Sequence, residues 1–307
     1  MKSLQLASYA KLNLYLEILG RLPDKYHAIF TLFERVSLCD QIRLKTLPSN
    51  KGIRIVLSNP KLCLPRGCNN LAYRAADQFK KEFKIRQGVE ICIDKQIPIS
   101  AGLGGGSSNA AAVLGGLNRL WGLRIKRERL VSIAGKIGAD VPFFLYNCSF
   151  ASAVSRGDKI KVLRLPVKLW HILVVPRVKV SSYLAYKKWD LNASRLQKKI
   201  SISILKGDAG LTIPQSRVKI IKSALSSKDF PGLKRLLINS LEPVSMSMHP
   251  VIRKVKSVLS NFGVEMILMS GSGPSVFGLV PSRKEAYAIA GQLSKFVTWD
   301  VFVVKTV

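Results

Sequence analysis

No stretch of this 307-residue sequence reaches the roughly twenty consecutive apolar residues that a membrane-spanning helix needs. The N-terminal segment MKSLQLASYAKLNLYLEIL is interrupted by Lys11, Asn13 and Glu17, which makes it a poor signal-peptide core. Both absences point to a soluble, cytoplasmic protein. The five cysteines (Cys39, Cys63, Cys68, Cys92, Cys148) form no C-x-x-C pair, and the only histidines are three widely separated ones. That excludes zinc-finger spacing, and an odd cysteine count reads as free thiols in a reducing compartment. Internal repeats, low-complexity segments and an arginine-rich tail are also missing. Acid is scarce: 18 Asp and Glu stand against 49 Lys and Arg, a net charge of +31. Such a surplus attracts polyanions, whether nucleic acid, anionic lipid or phosphorylated small molecules, and it equally describes a solvated basic surface. A nucleic-acid-binding protein would cluster its basic residues with aromatics. Here they are dispersed, with only short runs such as KRER and AYKKW, so no specific nucleic-acid partner is expected.

What remains is a globular composition. A 48 % hydrophobic content and this length suit two domains with sizeable cores. From Leu4 to Ile18 the residues alternate: Leu4, Leu6, Ala10, Leu12, Leu14, Leu16 and Ile18 share one face, and Tyr9, Lys11, Asn13, Tyr15 and Glu17 the other. A period of two marks a half-buried strand. DQIRLKTL, GIRIVLS and GVEICIDKQIP read as further strands. NLAYRAADQFKKEF and residues 127–137 read as helices, as does the alanine-rich segment after Ser107. Beyond about residue 160 the pattern restarts with a strand in KLWHILVVP and a helix beginning in SSYLAYKKW. Helices follow over 228–240 and 250–261, then a strand–turn–strand in GVEMILMSGSGPSVFGLV, the helix SRKEAYAIAGQLSKF and the strand WDVFVVKTV. The basic, irregular stretch from Arg195 to Gln215 reads as a surface insertion or long connection. Two successive mixed blocks predict an α+β protein with domains 1–160 and 161–307.

The segment PISAGLGGGSSNAAA, from Pro98 to Ala112, places Gly102, Gly104, Gly105 and Gly106 in front of a helix. It is not a Walker loop, because Gly106 is followed by Ser107 and Ser108 rather than Lys-Ser/Thr. It is not a dinucleotide fingerprint either, because the glycine required at position 107 is serine. The physical logic of an anion site survives: successive glycines bring backbone N–H groups close to a ligand, and the helix N-terminus carries a positive partial charge. Ser107 or Ser108 can cap the helix and also donate a hydroxyl to phosphate or metal. The plain alternative is a flexible turn.

This segment resembles the second motif of the GHMP kinases, which hold ATP phosphates without a Walker lysine. The resemblance extends over nearly the whole chain: SYAKLNLYLEILGRLPDKYHAI near the start, GADVPFF in the middle and MSGSGPSVFGLV near the end fall in the family's order. SRGD at 155–158 and NSLE at 239–242 depart from the family's commoner Gly-x-Gly-Glu and Asn-Asp-Leu-Glu. The fold it implies is α+β and two-domain, with an N-terminal domain like ribosomal S5 domain 2 and a ferredoxin-like C-terminal domain. Lys11 then becomes the active-site lysine, where strand position alone reads it as a solvated side chain. Asp140, which alone is as well read as a helix cap, becomes the base that takes the hydroxyl proton. An ammonium beside a carboxylate favours its charged form and stabilises the transferring phosphoryl group.

The resemblance also implies that ATP lies along Pro98, Ala101 to Asn109 (Gly102, Leu103, Gly104, Gly105, Gly106, Ser107 and Ser108 included), Asn70 and Lys95. Asn70 and Asn109 equally suit helix starts. The pairing of AKLNL with KYHAI resembles the branch whose organic substrate carries cytidine diphosphate. In that branch Asn13, Tyr26, His27 and Ser182 would meet the substrate, with Tyr186 or Tyr183 closing on the base. The implied reaction is phosphorylation of the 2-hydroxyl of 4-diphosphocytidyl-2-C-methyl-D-erythritol by ATP and a divalent cation, Mg²⁺, in the non-mevalonate route to isoprenoid precursors. Metal ligands are not readable from the sequence, and a monomer or homodimer is equally compatible with it. The rival readings are a homoserine or mevalonate type of GHMP kinase and, further off, a basic RNA-binding protein.

Overall fold

The computed structural model describes residues 2–197 and 215–307. β1 (Ser3–Arg21) and β2 (His27–Leu47) form one long antiparallel hairpin, its register running from Ser3 opposite Lys45 to Arg21 opposite His27. β3 (Ile53–Leu57) and β4 (Gly88–Asp94) extend the sheet along one half of β2; β5 (Phe150–Val154) and β6 (Lys159–Leu163) extend it along the other. The sheet order is β3-β4-β2-β5-β6, with β1 on β2. Helices α1 (Leu71–Glu82), α2 (Gly105–Leu120), α3 (Arg127–Ile137) and the short α4 (Val141–Leu145) belong to this half. Ala75, Ala76 and Phe79 of α1 and Val113, Leu114 and Leu117 of α2 meet Ile42, Leu44 and Ile91 of the sheet in one core.

A second sheet contains β7 (Trp170–Pro176), β8 (Met266–Met269), β9 (Val276–Val280) and β10 (Trp299–Lys305), antiparallel throughout in the order β10-β7-β9-β8. That order and the helices between its strands are those of a ferredoxin-like unit. The helices are α5 (Ser182–Gln197), α6 (Gln215–Ser227), α7 (Phe230–Leu236), α8 (Glu242–Met248), α9 (Pro250–Asn261) and α10 (Arg283–Leu293). α9 buries Ile252, Val255 and Leu259, a spacing of three and four that turns one face to the core. α10 starts at the N-cap Ser282, whose Oγ accepts from the Glu285 N–H and donates to the Glu285 carboxylate.

The structure corrects several expectations. β1 is half-buried only at its two ends; from Ala10 to Leu16 every residue is buried, Lys11, Asn13 and Tyr15 included. Register shifts at Tyr9/Ala10 and Asn13/Tyr15 break the strict alternation; the second sheet packs on Ala10, Leu12, Leu14 and Tyr15, and the glycine loop lies over Lys11. β2 is far longer than DQIRLKTL, and β5 and β6 were not foreseen. The helix expected over 228–240 is the shorter α7: Asp229 caps it by accepting from the Gly232 N–H, and Leu237 turns extended. Arg195 to Gln197 end α5 and Gln215 begins α6, while the remainder of that basic stretch lies outside the described residues.

The extended chain after α7 joins the two halves. Leu16 N–H donates to Ile238 O at 2.8 Å and Ser240 N–H to Leu16 O at 2.8 Å. Buried Asn239 donates through Nδ2 to the carbonyls of Met269 and Gly271 and accepts from the Leu241 N–H. Asn239→Ala strands three buried backbone groups at once. It should lower unfolding free energy by about 2–4 kcal/mol, read as a shift in urea midpoint; an unchanged midpoint would show that the seam tolerates their loss.

Candidate active site

Lys11 and Asp140, distant in sequence, meet at 3.3 Å between Nζ and Oδ2. The lysine is almost wholly buried and the aspartate one-third exposed toward a cavity. A buried ammonium is tolerable only with compensating partners. Besides Asp140 it donates to Asn13 Oδ1 and lies 5.1 Å from the centre of the Phe33 ring. Asn13 is itself fixed: its Nδ2 donates to Thr31 Oγ1 at 2.8 Å, and that hydroxyl donates to Tyr15 O at 2.7 Å. Asp140 occupies the N-cap position of α4 but makes no capping hydrogen bond. Its carboxylate is directed to the lysine instead.

The glycine-rich loop crosses above this pair. The Lys11 N–H donates to Leu103 O at 3.0 Å, and Gly104 takes φ +68°, the left-handed region that favours glycine. A Cβ on Gly104 would lie 3.0 Å from Lys11 Cγ and 3.1 Å from Phe144 Cζ. Gly102, at φ +77°, would place a Cβ 2.3 Å from Ser270 O. The second glycine-rich turn, 270–275, is therefore both the β8–β9 hairpin and a wall of the site: Ser270 Oγ donates to Gly102 O at 3.1 Å, and Gly271 and Ser272 line the cavity.

α2 begins at Gly105 with Gly104 as its cap, so Ser107 and Ser108 sit inside the first turn and neither is the N-cap. Ser107 lines the cavity, but Ser108 does not; it is buried and accepts from Ser8 Oγ at 2.7 Å. Asn109 is likewise no helix start: it donates to Ser8 Oγ and to Asp40 Oδ2. Asp40, fully buried, also accepts from the N–H groups of Gln96 and Ile97 and from Lys95. Burial pulls the Lys95 ammonium below its ordinary range, while Asp40 works the other way. Asn70 is the helix cap the sequence allowed, accepting from the Ala72 N–H at 2.9 Å, and it lines the cavity as well.

The far end of the cavity carries the rings. Tyr26 is 59 % exposed, and the Arg156 guanidinium lies 4.5 Å from its centroid, a cation–π contact. His27 stacks on Tyr186 at 4.7 Å, 25° from parallel, and meets the Trp189 edge at 5.8 Å. Of the two tyrosines left open by the sequence, Tyr186 joins this cluster; Tyr183 lines the cavity but is 73 % exposed. Burial, and secondarily Asp140, push the Tyr186 phenol well above its ordinary range. Ser182 Oγ and Ser272 Oγ bond at 2.7 Å, tying α5 to the glycine turn.

Every site residue named from the sequence except Ser108 thus lines one cavity of about 1110 Å³. A single drug-sized ligand takes about 300–1000 Å³, so there is room for two substrates. Sequence reasoning missed Thr31, Phe33, Asp40, Arg156 and Asp190. Asp40 carried one signal, an acid within the strand SLCDQIRL, where an unpaired carboxylate would be costly. The others carried none. Among the described residues no group of three His, Cys, Asp or Glu side chains could hold a metal ion.

The sequence matches the GHMP kinases N terminal domain over residues 70–148 and the GHMP kinases C terminal domain over 221–298. It is 36 % identical over 302 residues to the 4-diphosphocytidyl-2-C-methyl-D-erythritol kinase of Geobacillus kaustophilus, covering 98 % of this chain and 96 % of that one. It is 38 % identical over 307 residues to the enzyme of that name from a Geobacter species, covering both chains in full. A crystal structure of 4-(cytidine 5'-diphospho)-2C-methyl-D-erythritol kinase superposes with a TM-score of 0.74 at 32 % identity, over 98 % of this chain and 99 % of that one. A homoserine kinase from Cytophaga hutchinsonii superposes with a TM-score of 0.73 over 100 % of this chain and 95 % of that one, but at 22 % identity this shows the shared fold alone. With this coverage and identity, and with the glycine loop and lysine–aspartate pair in place, the chain belongs to the 4-diphosphocytidyl-2-C-methyl-D-erythritol kinases, a branch of the GHMP kinases.

Proposed function

We propose that the protein transfers the γ-phosphoryl group of ATP to the 2-hydroxyl of 4-diphosphocytidyl-2-C-methyl-D-erythritol, a step in the non-mevalonate supply of isoprenoid precursors. The observation that carries this reading is the Lys11–Asp140 pair at 3.3 Å, set between a glycine-rich helix start and a cluster of aromatic rings. The hydroxyl approaches Asp140, which takes its proton as the oxygen attacks phosphorus in line. Lys11 holds the carboxylate in place and offers positive charge to the transferring phosphoryl group. The N–H groups at the start of α2 receive the ATP phosphates, with Ser107 within the same turn and Lys95 beneath it. Tyr26 offers a stacking face to the cytosine, with His27 and Tyr186 beside it.

A divalent cation, Mg²⁺, would enter with the nucleotide and neutralise phosphate charge, with Asp140 and Ser107 the cavity residues that would offer it oxygen donors. The two-domain reading, 1–160 and 161–307, is supported by the change of sheet between Leu163 and Trp170, which leaves the last residues of β6 with the first domain. All the named groups come from one chain, so a monomer suffices for the reaction. No helix among the described residues is long and apolar enough to cross a membrane, and a cytoplasmic reaction is in keeping with the use of ATP.

A coupled ADP-release assay with the cytidyl substrate, homoserine and mevalonate in parallel tests the assignment. Turnover with the first alone is expected, with CMP or CDP competing against the organic substrate and not against ATP. Turnover of homoserine or mevalonate, with no competition by cytidine nucleotides, would overturn it.

A further inference from the structure

Beneath the glycine-rich loop lies a carboxylate that the reaction does not use. Asp40 on β2 is fully buried and does not line the cavity. Each of its oxygens accepts twice. Oδ1 accepts from the Gln96 and Ile97 N–H groups, both at 2.8 Å, and Oδ2 from Asn109 Nδ2 at 2.8 Å and from Lys95 Nζ. Gln96 and Ile97 lead into the loop, and Asn109 stands on α2, which leads out of it. One carboxylate therefore anchors the chain on both sides of residues 98–104.

Charge explains why an aspartate stands here. The Lys95 side chain is only 6 % exposed, and among the described residues Asp40 is its one ion-pair partner. Its Nζ would lie 3.0 Å from a Cβ on Gly105, the first residue of α2. An ammonium buried at the positive end of a helix is unfavourable on both counts unless a countercharge offsets it. Burial pulls the lysine below its ordinary range and the Asp40 carboxylate opposes that pull. Asn109 uses its Nδ2 hydrogens on Asp40 and on Ser8 Oγ at 2.9 Å. An ionised carboxylate can only accept, so it fixes which way this amide points and leaves Oδ1 as its free end.

We infer that Asp40 is a positioning residue for ATP: it holds Lys95 as a paired ammonium and Asn109 in one amide orientation, and ATP affinity depends on it although it does not line the cavity. Lys95 and Asn109 do line the cavity, so the effect of Asp40 passes through them. This rests on the ATP site proposed above.

Asp40→Asn tests the inference because it separates the two halves of the anchor. The amide oxygen can still accept from the Gln96 and Ile97 N–H groups. The amide NH₂ instead faces the Lys95 ammonium and the Asn109 NH₂, which are donors too. The ATP dissociation constant should rise about 10- to 100-fold in calorimetric titration, as for lost hydrogen bonds to a charged group. KM for the cytidyl substrate should stay unchanged, and kcat at saturating ATP should fall far less than ATP affinity, because the Lys11–Asp140 pair keeps its own partners. Lys95→Met should weaken ATP binding as well. The double variant Asp40→Asn/Lys95→Met should lose less than the product of the two single losses, since both act through one contact.

Unchanged ATP affinity in Asp40→Asn, equal weakening toward both substrates, or multiplicative losses in the double variant would overturn the role. Asp40→Asn leaves a buried ammonium unpaired, which can unfold a protein. In that event the double variant decides, because it carries neither charge: ATP bound as tightly as by the unaltered protein would overturn the role. ATP affinity untouched by Gly104→Val is a different failure, that of the ATP site itself, and the role of Asp40 falls with it.

Discussion

Asp140→Asn should lower kcat by about 10²- to 10⁴-fold and leave ATP affinity nearly untouched. The substitution keeps the shape of the side chain and removes its ability to take a proton. It also removes the negative charge 3.3 Å from the Lys11 ammonium, so the lysine retains Asn13 and Phe33 as neighbours but loses its countercharge. Lys11→Ala should fall by a similar factor for the complementary reason, since the carboxylate loses the ammonium that holds it. Groups that act as a unit are not additive. The double variant should therefore lose much less than the product of the two single losses. Steady-state kinetics on the four proteins form the cycle. Near-normal turnover of Asp140→Asn would remove the aspartate as base, and multiplicative losses would show that the two side chains act separately.

Gly104→Val should be nearly as damaging, and the structure says where the damage falls. From the sequence the loop reads as a phosphate cradle, so a side chain there should act on nucleotide binding. The observed neighbours of a Cβ at Gly104 are the stem of Lys11, with Cγ at 3.0 Å and Cε at 3.2 Å, and Phe144. A branched side chain would also be held at φ +68°, which costs about 1–3 kcal/mol for a non-glycine residue. The loop and lysine must shift together, and a displacement near 1 Å at a reacting group costs about 10²-fold. The expected result is a fall in kcat of at least that size together with weaker ATP binding, in a protein whose circular dichroism is unchanged. Gly106→Ala is the matched control, because its Cβ meets nothing nearer than Leu71 Cδ1 at 3.5 Å. Equal losses in the two variants would show that the loop tolerates no side chain anywhere and that contact with Lys11 is not the cause.

How much of this was legible in advance follows from which physical signals are local. The helices α1, α3 and α9 were readable because their apolar spacing, the Asn70 cap and the Gly138 stop lie within a few residues of one another. The glycine loop was readable as an anion site, since glycine content and a following helix are local properties too. Its serines were placed wrongly. Gly104 caps the helix through its backbone angle alone, and Ser108 was drawn inward by Ser8, a residue of another strand. β2 was only partly readable, because its 21 residues are paired by three different strands and no single period survives.

The sequence by itself determined the residue types that do the chemistry, their order along the chain and the family they resemble. Those depend on composition and spacing within short segments, where side-chain size, charge and backbone freedom act directly. Only the tertiary structure decided that Lys11 reaches Asp140, that the turn at 270–275 presses on Gly102, and that Asp190 faces His27. Each of these joins elements from distant parts of the chain, and such contacts are set by how sheets and helices share one buried volume. The same holds for Lys11 itself. On an isolated strand it reads as a solvated side chain, and it becomes a buried ammonium only because the glycine loop, Phe33 and Asp140 close around it.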